Sequence, residues 1–127
     1  MHKEEDTKVI PLPSELIKKV QPIEKQCIQE SGSIPNSLEH LLAWTMPNDI
    51  NSKKFMHCFC LKGGYIDASG NFVIDKFLNI VKDEADVKDD FAKALNKCNE
   101  NKGADFLESI YEKGVCFHKI SPIVFSM

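Results

Sequence analysis

Cysteine is the residue type that narrows this chain most. Five are present, Cys27, Cys58, Cys60, Cys98 and Cys116, and an odd number leaves one unpaired or joined to another chain. A chain of 127 residues builds one core rather than two, so two cross-links would fix much of its topology. The residue types leave two uses open: two bridges plus a free thiol in an oxidising compartment, or a metal in a reducing one. The one close cluster, His57-Cys58-Phe59-Cys60, lacks the Cys-x-x-Cys spacing of a structural zinc knuckle. Cys98 and Cys116 have seventeen residues between them and supply no second knuckle. Disulfides therefore fit better, and no metal is expected.

Apolar residues recur at helical spacing along most of the chain. Leu16, Val20, Ile23 and Cys27 share one face of a first helix over 13–30, with Ser14 as its N-cap and Pro22 expected to bend or break it. Ser31-Gly32-Ser33 is a stop. A short second helix over 35–44 turns Leu38, Leu41 and Leu42 inward and ends at Pro47-Asn48-Asp49. Asn51 or Ser52 is expected to cap a third, burying Phe55, Met56 and Phe59 up to Gly63-Gly64. The fourth carries Ile74, Phe77, Leu78 and Val81; the fifth, from about Asp86, carries Val87, Phe91, Ala94, Leu95 and Cys98. The sixth runs from Phe106, Leu107, Ile110 and Tyr111 towards Cys116. No segment reads as a strand. The closing Ser121–Met127 is too apolar to stand in water and is expected to cover part of the body.

Composition removes several functions. Sixteen basic against nineteen acidic side chains give a net charge of −3, without the basic surface of a nucleic-acid binder. No apolar run approaches the roughly 20 residues of a membrane span, so no membrane insertion is expected. The turn Asp67-Ala68-Ser69-Gly70-Asn71 opens like a calcium loop, but Phe72 stands where glycine is needed and Leu78 where the bidentate glutamate belongs. No phosphate loop or His-Glu-x-x-His pair is present. His2, His40, His57 and His118 are scattered, and a His57–Cys60 couple has no orienting third group. Neither a catalytic residue nor a cofactor is expected; this does not read as an enzyme.

The spacings carry the positive information. Thirty residues lie between Cys27 and Cys58, thirty-nine between Cys58 and Cys98, and seventeen between Cys98 and Cys116. With the six-helix plan, from about Pro13 to Phe125, this resembles the insect odorant-binding protein family, the pheromone and general odorant-binding group. That family has six cysteines bridged first to third, second to fifth and fourth to sixth. Cys27 matches the first and Cys58 the third, with Gly64, Asp67 and Gly70 following at the family's intervals; Cys98 and Cys116 match the fourth and sixth. Lys54, before the aromatic Phe55, stands at the second position and Leu107 at the fifth. The two missing cysteines are bonding partners, the pattern of the Minus-C members. Taking Cys60 as the third position, with Met56 as the missing second, would put Gly64 to Gly70 out of register.

The resemblance implies the bridges Cys27–Cys58 and Cys98–Cys116 and a free Cys60. It implies an all-α fold, a compact six-helix disulfide-stapled bundle enclosing an apolar cavity. Residues 1–127 then form one domain, with 1–12 as an N-terminal segment and 121–127 as a tail packed on the body. The implied function is a secreted carrier of small hydrophobic ligands, odorants or pheromones, through aqueous fluid such as sensillum lymph. No apolar leader opens the chain, so a mature form with its signal segment removed is expected. A small hydrophobic ligand is the partner, and an olfactory receptor or a second copy of the chain are further ones. A carrier of fatty acids or other lipophilic cargo and a protein–protein signalling module are the alternatives.

Resemblance places Val20, Trp44, Met46, Met56, Phe59, Cys60 and Phe117 in the cavity wall. Periodicity adds Leu42, Ile74, Leu78, Phe91, Leu95 and Ile110, with Ile123 and Phe125 closing one side. Bridges relax the demand for tight packing, so a hollow that would destabilise an ordinary core is tolerable. A ligand burying roughly 300 Å² of apolar surface there gains about 7 kcal/mol before association costs. The seam between the third and sixth helices, lacking its bridge, is expected to be the softest part of the shell. His40, His57 and His118 are the groups that would titrate near pH 6.5 if release depends on acid.

Overall fold

The apolar steps of three and four become helices, and two short segments at opposite ends of the chain find each other as strands. The structure, a computed structural model, describes residues 7–127; His2 and the first half of the 1–12 segment lie outside them. In chain order the elements are β1 (Lys8–Pro11), α1 (Ser14–Ser31), α2 (Ser37–Ala43), α3 (Ile50–Gly63), α4 (Ile74–Ile80), α5 (Ala85–Cys98), α6 (Phe106–Ile120) and β2 (Ile123–Ser126). The six expected helices are present.

The strand pair was not expected. β1 and β2 run parallel, with Lys8 opposite Ile123 and Ile10 opposite Phe125. The Lys8 N–H donates to the Pro122 carbonyl at 2.9 Å and the Leu12 N–H to that of Ser126 at 2.8 Å. Four residues alternating once carry almost no strand signal alone; pairing across the chain makes these strands. The tail does lie against the body, with Ile123 and Phe125 buried. Ser121 sets its direction, its hydroxyl donating to the Ile123 carbonyl at 2.8 Å and accepting the Ile123 N–H at 3.1 Å.

Two helix starts differ because the caps lie upstream of the expected residues, by one position in α1 and by two or three in α3. Pro13, with no side-chain cap, precedes α1, and Ser14 is its first residue. Asp49, not Asn51 or Ser52, caps α3: its carboxylate accepts the Ser52 N–H at 2.8 Å. Pro22 neither breaks α1 nor divides it. Pro22 and Lys18 are both exposed, so water can satisfy the Lys18 carbonyl that the proline ring leaves without a donor. At the far end the chain leaves through Gly32, whose φ of +72° is open to glycine at no steric cost. Glu24 of α1 reaches across to accept the Leu38 N–H at 3.0 Å, supplying α2 with the cap its own sequence lacks.

Two staples hold this arrangement. Cys27–Cys58 ties α1 to α3 and Cys98–Cys116 ties α5 to α6, while Cys60 remains a free thiol. The seam between α3 and α6, where Lys54 and Leu107 replace the third bridge, is not held by those two residues. Lys54 is exposed. Its neighbour Lys53 instead places Nζ 2.7 Å from Glu108 Oε2 and 4.9 Å from the centre of the Tyr111 ring. One residue along a helix turns a side chain by about 100°, so the link moved one position on both helices. An ion pair thus spans the seam expected to be softest.

Candidate functional site

Apolar side chains from most of these elements converge on a cavity of about 130 Å³. From the expected set, Val20 of α1, Leu42 of α2, Met56, Phe59 and Cys60 of α3, and Phe117 of α6 line it. Trp44, just after α2, and Ile123 and Phe125 of β2 complete that group. The structure places the other six elsewhere. Phe91 and Leu95 are wholly buried in α5, with Ile74 and Leu78 packed against their cluster. Ile110 is core beside Met56, and Met46 packs on the same cluster. The reason is layering: Phe91 sits behind Phe77 and Phe117, at ring distances of 6.3 and 5.8 Å. Helical period finds an inward face but cannot tell the first layer from the second.

Several wall residues went unread. Leu12, Leu16 and Leu41 carry the ordinary signal of core leucines, and Val124 follows from the unread strand. Tyr65, Phe72, Phe77 and Ile80 bring the α3–α4 connection and α4 into the wall. Asn99, at the end of α5, holds that connection in place. Its amide donates to the Phe72 carbonyl at 3.3 Å and accepts the Phe72 N–H at 2.7 Å, a two-bond clamp on a wall residue.

The Trp44 end of the cavity depends on a glycine. A Cβ on Gly114 would lie 2.6 Å from Trp44 Cη2 and 3.0 Å from Met56 Cε. Trp44 caps α2 with φ +57°, a left-handed conformation costing a bulky residue about 1–2 kcal/mol. Packing of the half-buried ring repays it: the indole lies over Gly114, against Tyr111 at 5.5 Å and stacked on His118 at 6.0 Å. Gly114→Ala is therefore expected to push the ring aside, lowering stability by about 1–3 kcal/mol. Affinity for an apolar fluorescent probe should fall with it; melting curves and probe titrations check both.

The wall residues that carry polar side-chain groups are few: Tyr65 with its hydroxyl, Trp44 with its indole N–H, His118 with its ring and Cys60 with its thiol. Burial pushes the Cys60 thiol up to about 12, so it stays protonated at neutral pH and acts as soft apolar wall rather than as a nucleophile. Of the three histidines considered for titration, His118 alone touches the cavity. His40 Nδ1 lies 2.8 Å from the Thr45 hydroxyl, and His57 stands edge-on to Phe106 at 5.1 Å. Among the described residues no three His, Cys, Asp or Glu side chains gather as metal ligands. Likewise, no helix is long and apolar enough to cross a membrane.

Comparison with known proteins agrees with this architecture. The model of the PBP/GOBP family matches residues 11–120. A medfly odorant-binding protein, CcapOBP22/CcapOBP69a, is similar at 26% identity and a TM-score of 0.61, over 82% of this chain and 89% of that one. Odorant-binding protein 7 from Anopheles gambiae, which has four disulfide bridges and was solved with an azo compound, is 26% identical with a TM-score of 0.55, over 83% and 85% of the two chains. The Locusta migratoria protein lmigOBP1, at 17% identity and a TM-score of 0.66 over 89% and 87%, shares the fold. No curated protein sequence matches significantly. The family and these neighbours are binding proteins rather than enzymes.

Proposed function

Because this chain belongs to the PBP/GOBP family, and its two bridges are those of a Minus-C member, we propose that it carries small hydrophobic molecules in its central cavity. The observation that carries this is the wall itself, built from aliphatic and aromatic side chains of α1, α2, α3, α4, α6 and β2. A hollow lined this way stays dry and takes apolar guests; an engineered cavity of about 150 Å³ accepts benzene. At about 130 Å³, this one suits a single ring or a short chain, with larger cargo requiring the wall to give. Odorants and pheromones of that size are the intended cargo, and fatty acids are disfavoured by length.

The two disulfides support secretion, since such bonds persist in oxidising fluids and not in the cytosol. An olfactory receptor and a second copy of the chain remain the further partners of this reading. N-phenyl-1-naphthylamine tests carriage. Blue-shifted fluorescence, saturating at one probe per chain and reversed by an odorant-sized hydrocarbon, is the expected result. Failure of the folded protein to take up either this probe or single-ring benzene would overturn the proposal and favour a protein–protein interface instead.

A further inference from the structure

A side chain that lines a hollow lacks packing partners on that side, so the make-up of a wall decides what fills it best. Aromatic residues are 9% of the chain, yet they are seven of the nineteen that line this cavity. Phe72, Phe77 and Phe117 form a mutually touching group, with ring centres 5.4, 6.0 and 6.1 Å apart. Trp44 after α2, Phe59 of α3, Tyr65 in the α3–α4 connection and Phe125 of β2 bring rings to the wall from other parts of the fold. The group is held from outside. Phe91 packs behind Phe77 and Phe117 at 6.3 and 5.8 Å, and Asn99 clamps the Phe72 backbone. Aromatic rings at such distances attract one another beyond the area they bury, preferring tilted or offset arrangements. Phe72 and Phe77 stand at 84° to each other, so a flat guest beside them cannot lie parallel to both and is tilted to at least one. Met56 shares the wall, and a thioether also favours an aromatic neighbour.

Building on the carrier reading, we infer that the cavity selects cargo built on a single aromatic ring over a saturated ring of comparable size, and that Phe72, Phe77 and Phe117 make the choice. A saturated ring gains burial alone; an aromatic one gains burial and, in addition, the contacts that these three phenylalanines already make among themselves. At about 130 Å³ the hollow takes one ring, so the guest meets the wall rather than a second guest.

Toluene, bracketed by the smaller cyclopentane and the larger methylcyclohexane, tests this. Each affinity is divided by that compound's own partition from water into hexadecane, which removes ordinary hydrophobicity, and the bracket removes size. In the parent protein toluene is expected to exceed both saturated rings about three- to tenfold, the worth of one or two aromatic contacts. Phe72→Leu and Phe77→Leu, which keep an apolar side chain, should each cut that excess about threefold. The saturated rings should hold or gain affinity in these variants, which also reports an intact fold. A parent protein that binds either saturated ring as well as toluene on this scale would overturn the inference while leaving carriage intact. So would an excess that both variants leave unchanged. Failure of all three compounds to bind the parent would instead sink the carrier reading and this inference with it.

Discussion

Replacing Cys27 and Cys58 together by alanine should lower stability by about 4 kcal/mol, the largest effect expected from any single pair of substitutions. The bridge closes a loop with a sequence separation of 31, and the chain-entropy model assigns about 3.7 kcal/mol to a loop of that length. Cys98–Cys116, at a separation of 18, is worth about 3.2 kcal/mol on the same basis. Small domains are stable by only about 5–15 kcal/mol, so either loss should leave a folded but weakened protein and full reduction should approach unfolding. Joint replacement matters because Cys58→Ala alone would leave Cys27 free to pair with Cys60. Urea unfolding midpoints of the parent, each double variant and the reduced protein would rank these states. A midpoint insensitive to reductant would mean that helix packing alone holds the bundle.

Phe117→Ala is the second large effect. Its ring meets Phe72 at 6.0 Å, Phe77 at 6.1 Å and Phe91 at 5.8 Å, so it belongs to the aromatic cluster as well as to the cavity wall. Truncating a buried phenylalanine costs about 3–5 kcal/mol; Phe117 already borders a hollow, which points to the lower end. A fall in melting temperature of about 10 °C is expected for a domain of this size. Binding should change in kind rather than simply weaken: the hollow grows by most of a ring, so small guests lose contacts and bulkier ones gain room. Affinities for a series from benzene to naphthalene would reveal this as a shift in optimum size. A uniform loss across the series would mean that Phe117 supports the fold without shaping the cavity.

Much of this molecule could be read from its residues. The helices are local objects, and the steps Leu16–Val20–Ile23–Cys27 or Phe91–Ala94–Leu95–Cys98 report them directly. The bridges were legible only through the family resemblance: the two cysteines missing from the family's pattern are bonded to each other there, which leaves Cys27–Cys58 and Cys98–Cys116. What stayed hidden was non-local. Lys8–Pro11 becomes a strand only when Ile123–Ser126 arrives beside it, and Glu24 caps α2 from another helix. The cavity divided along the same line: Trp44, Met56 and Phe117 face it, whereas Phe91 and Leu95, equally periodic and apolar, form the layer behind. Gly114 carried no signal by itself, since its purpose is visible only in the tryptophan ring above it.

The methionines offer the most direct test that the ligand occupies this hollow. Met56 lines it, Met46 packs outside it, and Met127 is 38% exposed on the tail. With the methionine methyl groups labelled with carbon-13 and the protein saturated with α-methylstyrene, the Met56 methyl should shift strongly and show contacts to the aromatic ring, while Met127 stays unmoved. An unshifted Met56 in a saturated complex, or contacts confined to Met127, would place the guest on the surface and contradict the account.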